Sequence, residues 1–131
     1  MSKKRLITPK EAKALNDAFT ERCELISKMI TKRPDNRSSW YSLKDLRAYL
    51  DYAEAQAKLN GVKMNGIRVY CGAYPEKNGK AGYSTSFIVP TMKRELDGEE
   101  NGDGSGSCDI PGGDGMNFGG TGIPPGANYP Q

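Results

Sequence analysis

The sequence predicts an α+β fold in which two amphipathic helices pack on one face of a small antiparallel sheet. Two observations predict this class. Apolar residues recur at helical spacing over residues 9–32 and again over residues 42–59. The spacing then changes to strict alternation over residues 66–74 and 82–90, as it does in strands.

The first helix has a complete start signal. Thr8 is a candidate N-cap, Pro9 suits the first helical position, and Glu11 lies three residues after the cap, which makes a capping box. Pro34 and the polar residues after it end the pattern. The apolar stripe of this helix consists of Ala12, Leu15, Phe19, Cys23, Ile26 and Ile30.

The second helix begins at Ser42, whose hydroxyl can cap it, with Asp45 at the third position. Asn60 and Gly61 supply the C-terminal stop. Its apolar stripe consists of Leu43, Leu46, Leu50, Ala53 and Ala57.

Two strands follow the helices. The first strand alternates Ile67, Val69 and Cys71 with Arg68 and Tyr70. Successive side chains of a strand point to opposite faces, so we expect the apolar set to face the helices.

A short connection with the turn-forming pair Asn78-Gly79 joins the two strands and predicts an antiparallel hairpin. Pro90 should end the second strand or lie at an edge. A two-stranded hairpin is marginal alone, so we expect a further strand from residues 38–41 or 62–64, or from a partner chain.

The composition changes near residue 96. Residues 1–96 read as one compact α+β domain, whereas the 35 residues of 97–131 contain 11 glycines. Such a segment buries too little apolar area to offset its backbone entropy. We expect a Gly/Pro-rich acidic tail that is disordered in isolation or docks through Phe118 and Tyr129 near its end.

Charge is distributed unevenly along the chain. All 19 Lys and Arg residues fall within residues 1–96 together with ten of the 16 acidic residues, so this part carries a net charge of +9. The other six acidic residues fall within residues 97–131. A basic body favours anionic partners such as nucleic acid, and an acidic tail can compete for the same surface.

No targeting or membrane signal is found in the sequence. The basic start has no apolar run behind it, and no stretch of about 18 apolar residues occurs. We therefore expect a cytoplasmic protein without a membrane partner. The three cysteines do not make a disulfide framework, and Cys23 and Cys71 are expected to be small buried apolar residues.

The sequence contains no pattern of residues that is typical of a catalytic or metal site. Histidine, the commonest general base and metal ligand, is absent from the sequence. The cysteines lack the paired short spacings of zinc sites. We expect no catalytic residue, no metal and no cofactor, and a protein that is not an enzyme. A shallow site that uses Cys71, a tyrosine or a lysine stays open as a third hypothesis.

The hairpin carries most candidate binding residues. Arg68, Tyr70 and Tyr74 alternate with the apolar set, and Lys77 and Lys80 lie in the connection. Aromatic rings interleaved with cations can stack on bases and neutralise phosphates, or simply pack across strands. An uncovered hairpin edge can also accept a strand from a partner.

Several short motifs resemble a group of small proteins of Bacteroidota bacteria. They are WYSL at 40–43, GIRVYCGAY at 66–74, PT at 90–91, and the end of the chain from NFG at 117–119 to YP at 129–130. The resemblance implies a bacterial cytoplasmic setting and a tail end that is a feature of the protein in its own right. It implies no activity, ligand or catalytic residue.

The sequence thus favours a non-enzymatic protein-interaction module that binds a protein partner at a strand edge or at a Tyr/Arg sheet face. The alternative is a nucleic-acid-binding protein that uses the basic body and is autoinhibited by the acidic tail. The partner's identity, the process and the oligomeric state are not predicted.

Overall fold

The structure is a computed structural model that describes residues 5–94, 106–117, 120–121 and 126–131, with the side chains of 120–121 excepted. The described elements are α1 (Pro9–Met29), β1 (Ser39–Trp40), α2 (Leu43–Leu59), β2 (Met64–Ala73), β3 (Ser84–Lys93), β4 (Ser107–Asp109) and β5 (Gly120–Thr121). Two helices and a three-stranded antiparallel sheet confirm the predicted α+β class. None of the described helices is long and apolar enough to cross a membrane.

The chain divides into two compact units, each made of separate stretches of sequence. Unit 1 contains Met1–Ser39, Ala73–Thr85 and Thr121–Gln131, and unit 2 contains Trp40–Gly72 and Ser86–Gly120. Both units therefore draw residues from the basic body and from the Gly/Pro-rich tail.

Helix α1 begins as the sequence predicts. The Thr8 hydroxyl accepts a hydrogen bond from the Glu11 amide at 3.1 Å, and the Glu11 carboxylate accepts one from the Thr8 amide at 3.2 Å. The predicted end at residue 32 is wrong, because the helix stops at Met29. The Thr31 hydroxyl there donates to the Arg33 carbonyl at 2.5 Å, and Lys32 adopts a left-handed φ of 58°.

Helix α2 also keeps its predicted start and stop. The Ser42 hydroxyl accepts from the Asp45 amide at 2.9 Å, and Gly61 follows the helix with a φ of 72°. This helix packs on the sheet of unit 2. The core there consists of Tyr49, Ala53 and Ile88, with Leu46, Leu50, Met64 and Met116 partly buried against it. The sequence predicts that both helices pack on one face of the sheet. Packing on this core is observed for α2, whereas α1 belongs to unit 1.

The third strand of the sheet comes from the tail. The strand order is β2-β3-β4, and β4 pairs antiparallel with β3 so that Thr91 lies opposite Asp109. The Ile88 and Met116 main chains add a further bridge, with N–O distances of 3.0 and 2.9 Å. Neither of the two segments that the sequence offers as a further strand supplies it. Residues 38–41 contain β1, which pairs with β5 in a separate two-stranded ladder, and Met64 of the segment 62–64 begins β2 itself.

Glycines let this part of the tail approach β3 closely. A Cβ atom on Gly113 would lie 2.9 Å from Cγ of Pro90, and one on Gly115 would lie 3.0 Å from the Ile88 carbonyl oxygen. Real Cβ atoms almost never make a contact as short as 2.9 Å, and 3.0 Å is tighter than nine in ten of their contacts, so a side chain at either position would force its neighbours to shift. Residues 106–117 therefore pack along β3, a contact that the sequence does not predict, since it places docking near Phe118 and Tyr129.

Three apolar side chains of β2 that the sequence predicts to be buried are exposed. Ile67 is 40% exposed and Val69 is 63% exposed, and Cys71 is exposed as well. The expectation that the helices bury these three side chains is wrong. The reason is that α2 packs on Ile88 of the neighbouring strand β3 and leaves these edge-strand residues uncovered.

Candidate functional site

A carboxylate from β4 binds the two polar residues that the sequence singles out on β2. One oxygen of Asp109 accepts from the Arg68 guanidinium at 2.6 Å, and the other accepts from the Tyr70 hydroxyl. The guanidinium also donates to the Ser107 carbonyl at 3.2 Å. We call Arg68, Tyr70 and Asp109 the carboxylate clamp. Sequence analysis selects the first two residues and misses the third, which lies 41 positions from Arg68.

The three groups of the clamp shift one another's pKa values. The pKa of Asp109 is lowered, first by the hydrogen bond from Tyr70 and then by the Arg68 cation. The pKa of Tyr70 is raised, chiefly because its hydroxyl donates to the Asp109 carboxylate. The pKa of Arg68 is raised by the same carboxylate. At neutral pH the clamp therefore contains one cation, one anion and a neutral phenol.

An aromatic contact fixes Tyr70 on the sheet. Its ring stacks on that of Phe87, with centroids 5.3 Å apart and planes inclined by 15°. Phe87 lies on β3, so the contact joins neighbouring strands. This cross-strand packing is the alternative to base stacking that the sequence analysis leaves open for Tyr70.

The remaining hairpin candidates lie in unit 1. Lys77 and Lys80 exchange two main-chain hydrogen bonds of 2.9 and 3.0 Å around Asn78 and Gly79, which both have positive φ. The predicted turn is thereby confirmed, and both lysines are exposed. The Tyr74 hydroxyl accepts from Thr85 at 3.3 Å. Lys77, Lys80 and Tyr74 belong to unit 1, whereas the carboxylate clamp belongs to unit 2.

Unit 1 contains a buried polar cluster that sequence analysis assigns only to a loop. Asp35 is 1% exposed, and its carboxylate accepts hydrogen bonds from the amide of Ser84, at 2.7 Å, and from its hydroxyl. The Arg33 guanidinium lies 4.2 Å from the ring centroid of Tyr83 and donates to the Ala81 carbonyl. These contacts hold the strand connection within unit 1, and the sequence offers only the polar run after Pro34 as a signal.

The end of the chain docks on unit 1. The side-chain amide of Asn16 donates to Asn128 at 2.8 Å, and that of Gln131 donates to Ser38 at 3.2 Å. Tyr129, a predicted docking residue, is 38% exposed beside them. Phe118, the other predicted docking residue, lies outside the described residues.

A cavity of about 370 Å³ in unit 2 is a feature that the sequence does not indicate. Helix α2, strand β3 and the tail segment 110–114 line it, and we call it the α2 cavity. Asp114 lies at its rim, where its carboxylate accepts from the Tyr52 hydroxyl at 2.7 Å. Because one wall is made by the tail, no local pattern in the sequence reveals the cavity.

The three cysteines are free thiols. Cys23 is buried in α1, as predicted, whereas the burial predicted for Cys71 is wrong because that thiol is exposed on β2. Within the described ranges, no group of three or more Cys, Asp or Glu side chains is placed to hold a metal ion.

Comparisons with protein-family models, with curated proteins and with solved structures found no match to this chain. The resemblance to Bacteroidota proteins therefore stays a prediction.

Proposed function

We propose that this protein is a non-enzymatic interaction module that binds an extended segment of a partner protein along the outer edge of β2. The observation that carries the proposal is the exposure of Ile67 and Val69 on a ten-residue strand at the edge of the described sheet. Main-chain pairing would supply affinity, and pockets for alternate side chains would supply specificity.

Strand β2 lacks the features that usually protect an edge strand. Natural edge strands carry lysine, proline or charges that discourage pairing. The only charged residue of β2 is Arg68, and its guanidinium pairs with Asp109. The β-branched side chains of Ile67 and Val69 suit cross-strand packing. The edge is therefore apolar, long and uncharged where a partner strand would lie.

The opposite edge of the sheet illustrates the same mode of binding within the chain. Residues 106–116 lie along β3 and form main-chain hydrogen bonds with its residues Ile88 and Pro90, and with Arg94 just after the strand. A short, glycine-rich segment thus already binds β3 by strand addition. This leaves β2 as the strand at the end of the described ladder.

The setting that we propose is the cytoplasm. All three cysteines are free thiols, and Cys71 is exposed on the proposed binding strand. A reducing compartment keeps such a thiol from forming adventitious disulfides.

A lysine introduced on the exposed edge of β2 tests whether a partner segment binds there. Peptides that bind the full-length protein are selected from a library of random extended sequences, and their contact site is mapped by amide chemical shifts. We expect the shifts to follow β2, and Val69→Lys to weaken binding about tenfold or more, because a lysine on an edge opposes pairing.

The matched control is Leu59→Lys. Leu59 is 79% exposed at the end of α2, so this variant adds the same charge to another exposed apolar position. Its peptide affinity should equal that of the wild type. Shifts that map away from β2, or equal losses in both variants, would refute strand addition at this edge.

A second candidate function is nucleic-acid binding with autoinhibition by the tail. The contact that favours it is the carboxylate clamp, in which an acidic tail residue neutralises Arg68. A nucleic-acid phosphate could take the place of the Asp109 carboxylate, because both accept from a guanidinium.

Replacing the tail carboxylate tests this candidate. Asp109→Asn removes the negative charge, so binding of a fluorescent single-stranded oligonucleotide at low salt should strengthen and should weaken again as salt is added. Asp114→Asn, which changes a tail carboxylate outside the clamp, is the control. No mobility shift with either variant at low salt would eliminate nucleic-acid binding through Arg68.

A further inference from the structure

We propose that the α2 cavity binds a small organic cation, in which a primary amine or a guanidine is carried on a compact apolar body. The ammonium or guanidinium would pair with the Asp114 carboxylate at the rim. The apolar body would fill the space between α2 and β3.

The interior of the cavity is apolar and is created by short side chains. Ala53 and Ala57 lie on the α2 side, where they are 5% and 3% exposed. Apolar side chains from β3, from the segment after α2 and from the tail complete the lining, namely Pro90, Met92, Val62 and Ile110. A volume of about 370 Å³ lies within the range of small-molecule sites, about 300–1,000 Å³.

The rim carries a formal charge at Asp114. Among the residues that the structure describes, it is the only charged one that lines the cavity. One oxygen of its carboxylate accepts from Tyr52, and in the part of the chain that the structure describes no cation pairs with it. The side-chain amides of Gln56 and Asn60 also line the cavity. The polar groups are thus one unneutralised carboxylate and two amides, a set that favours a cationic donor.

Two tyrosines position this carboxylate. The Tyr49 hydroxyl donates to the main-chain carbonyl of Asp114 at 2.9 Å, and the Tyr52 hydroxyl donates to the carboxylate. The pKa of Tyr52 is raised by its hydrogen bond to Asp114, and that of Tyr49 is raised by burial and then by the same negative charge. Both phenols therefore stay protonated at neutral pH and hold Asp114 at the rim.

Size and charge together select the occupant. A lone lysine side chain from a partner would leave most of the apolar lining uncovered, whereas an aromatic or branched amine would cover more of it. An acid would meet the Asp114 charge without a compensating cation. A neutral molecule would bury its apolar body but lack the charge-assisted hydrogen bond.

The test uses three probes with one ring and different head groups. They are 2-phenylethylamine, 2-phenylethanol and 3-phenylpropionate, titrated into the full-length protein while the methyl resonances of Ala53 and Ala57 are followed by NMR. We expect saturable shifts with the amine, about tenfold weaker binding of the alcohol, and no binding of the acid, since only the amine can make a charge-assisted hydrogen bond to Asp114.

Two variants assign the charge to one residue. Asp114→Asn keeps an acceptor for the Tyr52 hydroxyl, so it should fold and should lower amine affinity about tenfold. Asp51→Asn removes an exposed carboxylate of α2 that does not line this cavity, so amine affinity should not change. Equal binding of amine and alcohol, unchanged affinity in Asp114→Asn, or equal losses in both variants would overturn the proposal. Val69→Lys should bind the amine normally, which separates this site from the β2 edge.

Discussion

At the scale of single residues, two carboxylates decide how distant parts of the chain meet. Asp109 joins β4 to Arg68 and Tyr70 of β2, and Asp35 joins the loop after α1 to Ser84. Neither pairing follows a local spacing, because the partners are 39 to 49 positions apart. The sequence shows which residues need partners, such as the lone cation of β2, but not where those partners lie in the chain.

The carboxylate clamp predicts an acid-sensitive contribution to stability. The pKa of Asp109 is lower in the folded protein than its ordinary value of 3.8. Its contribution is therefore fully present above that ordinary value and is lost as the pH falls through the lower folded value. The difference in unfolding free energy between wild type and Asp109→Asn should be constant from about pH 5 to 8 and should vanish in stronger acid. Urea unfolding at several pH values measures it, and a difference that persists unchanged at pH 2 would contradict the clamp.

The buried Asp35 carboxylate predicts a measurable loss of stability when it is removed from unit 1. Asp35→Ala leaves the amide and hydroxyl of Ser84 without their acceptor, and each buried group so orphaned costs about 1–3 kcal/mol. We expect a loss of about 2–3 kcal/mol in urea unfolding. Asp51→Ala, at an exposed position of α2, should stay within about 0.5 kcal/mol of wild type. Similar values for the two variants would mean that the Asp35 contacts do not form.

At the scale of elements, local signals are reliable, whereas the extent of sheet that a helix covers is not predicted. The capping box of Thr8 and Glu11, the Ser42 cap and the Asn78-Gly79 turn are all predicted correctly, because each depends on residues within a few positions of one another. The burial of Ile67 and Val69 is predicted wrongly, because alternation alone does not show how far α2 extends across the sheet towards its edge strand. The exposed Ile67 and Val69 that result are the basis of the proposed binding edge.

A pair of core substitutions tests which residues hold the sheet on α2. Ile88 is buried against Tyr49 and Ala53, so Ile88→Ala should cost about 2–5 kcal/mol. Val69 is exposed, so Val69→Ala should cost no more than about 0.5 kcal/mol. Thermal or urea unfolding gives both values. A large loss of stability in Val69→Ala with little loss in Ile88→Ala would contradict this assignment of the core.

At the scale of the whole molecule, composition alone describes the tail incompletely. Its glycines do lower the apolar content, which predicts disorder, but Gly113 and Gly115 also allow the close approach to β3 that docking requires. Met116, one of the few aliphatic residues of the tail, packs on the core of unit 2. The docked segment supplies β4, the anion of the carboxylate clamp and one wall of the α2 cavity.

Amide hydrogen exchange at Ile110 and Met116 tests this docking most directly, because their N–H groups donate to Pro90 and Ile88 of β3 at 3.0 and 2.9 Å. We predict that both amides of the full-length protein exchange slowly, at rates close to that of Ile88, whereas the neighbouring Gly112 amide exchanges rapidly. Exchange of Ile110 and Met116 at the rates of an unstructured peptide would contradict the account of the sheet, of the clamp and of the cavity together.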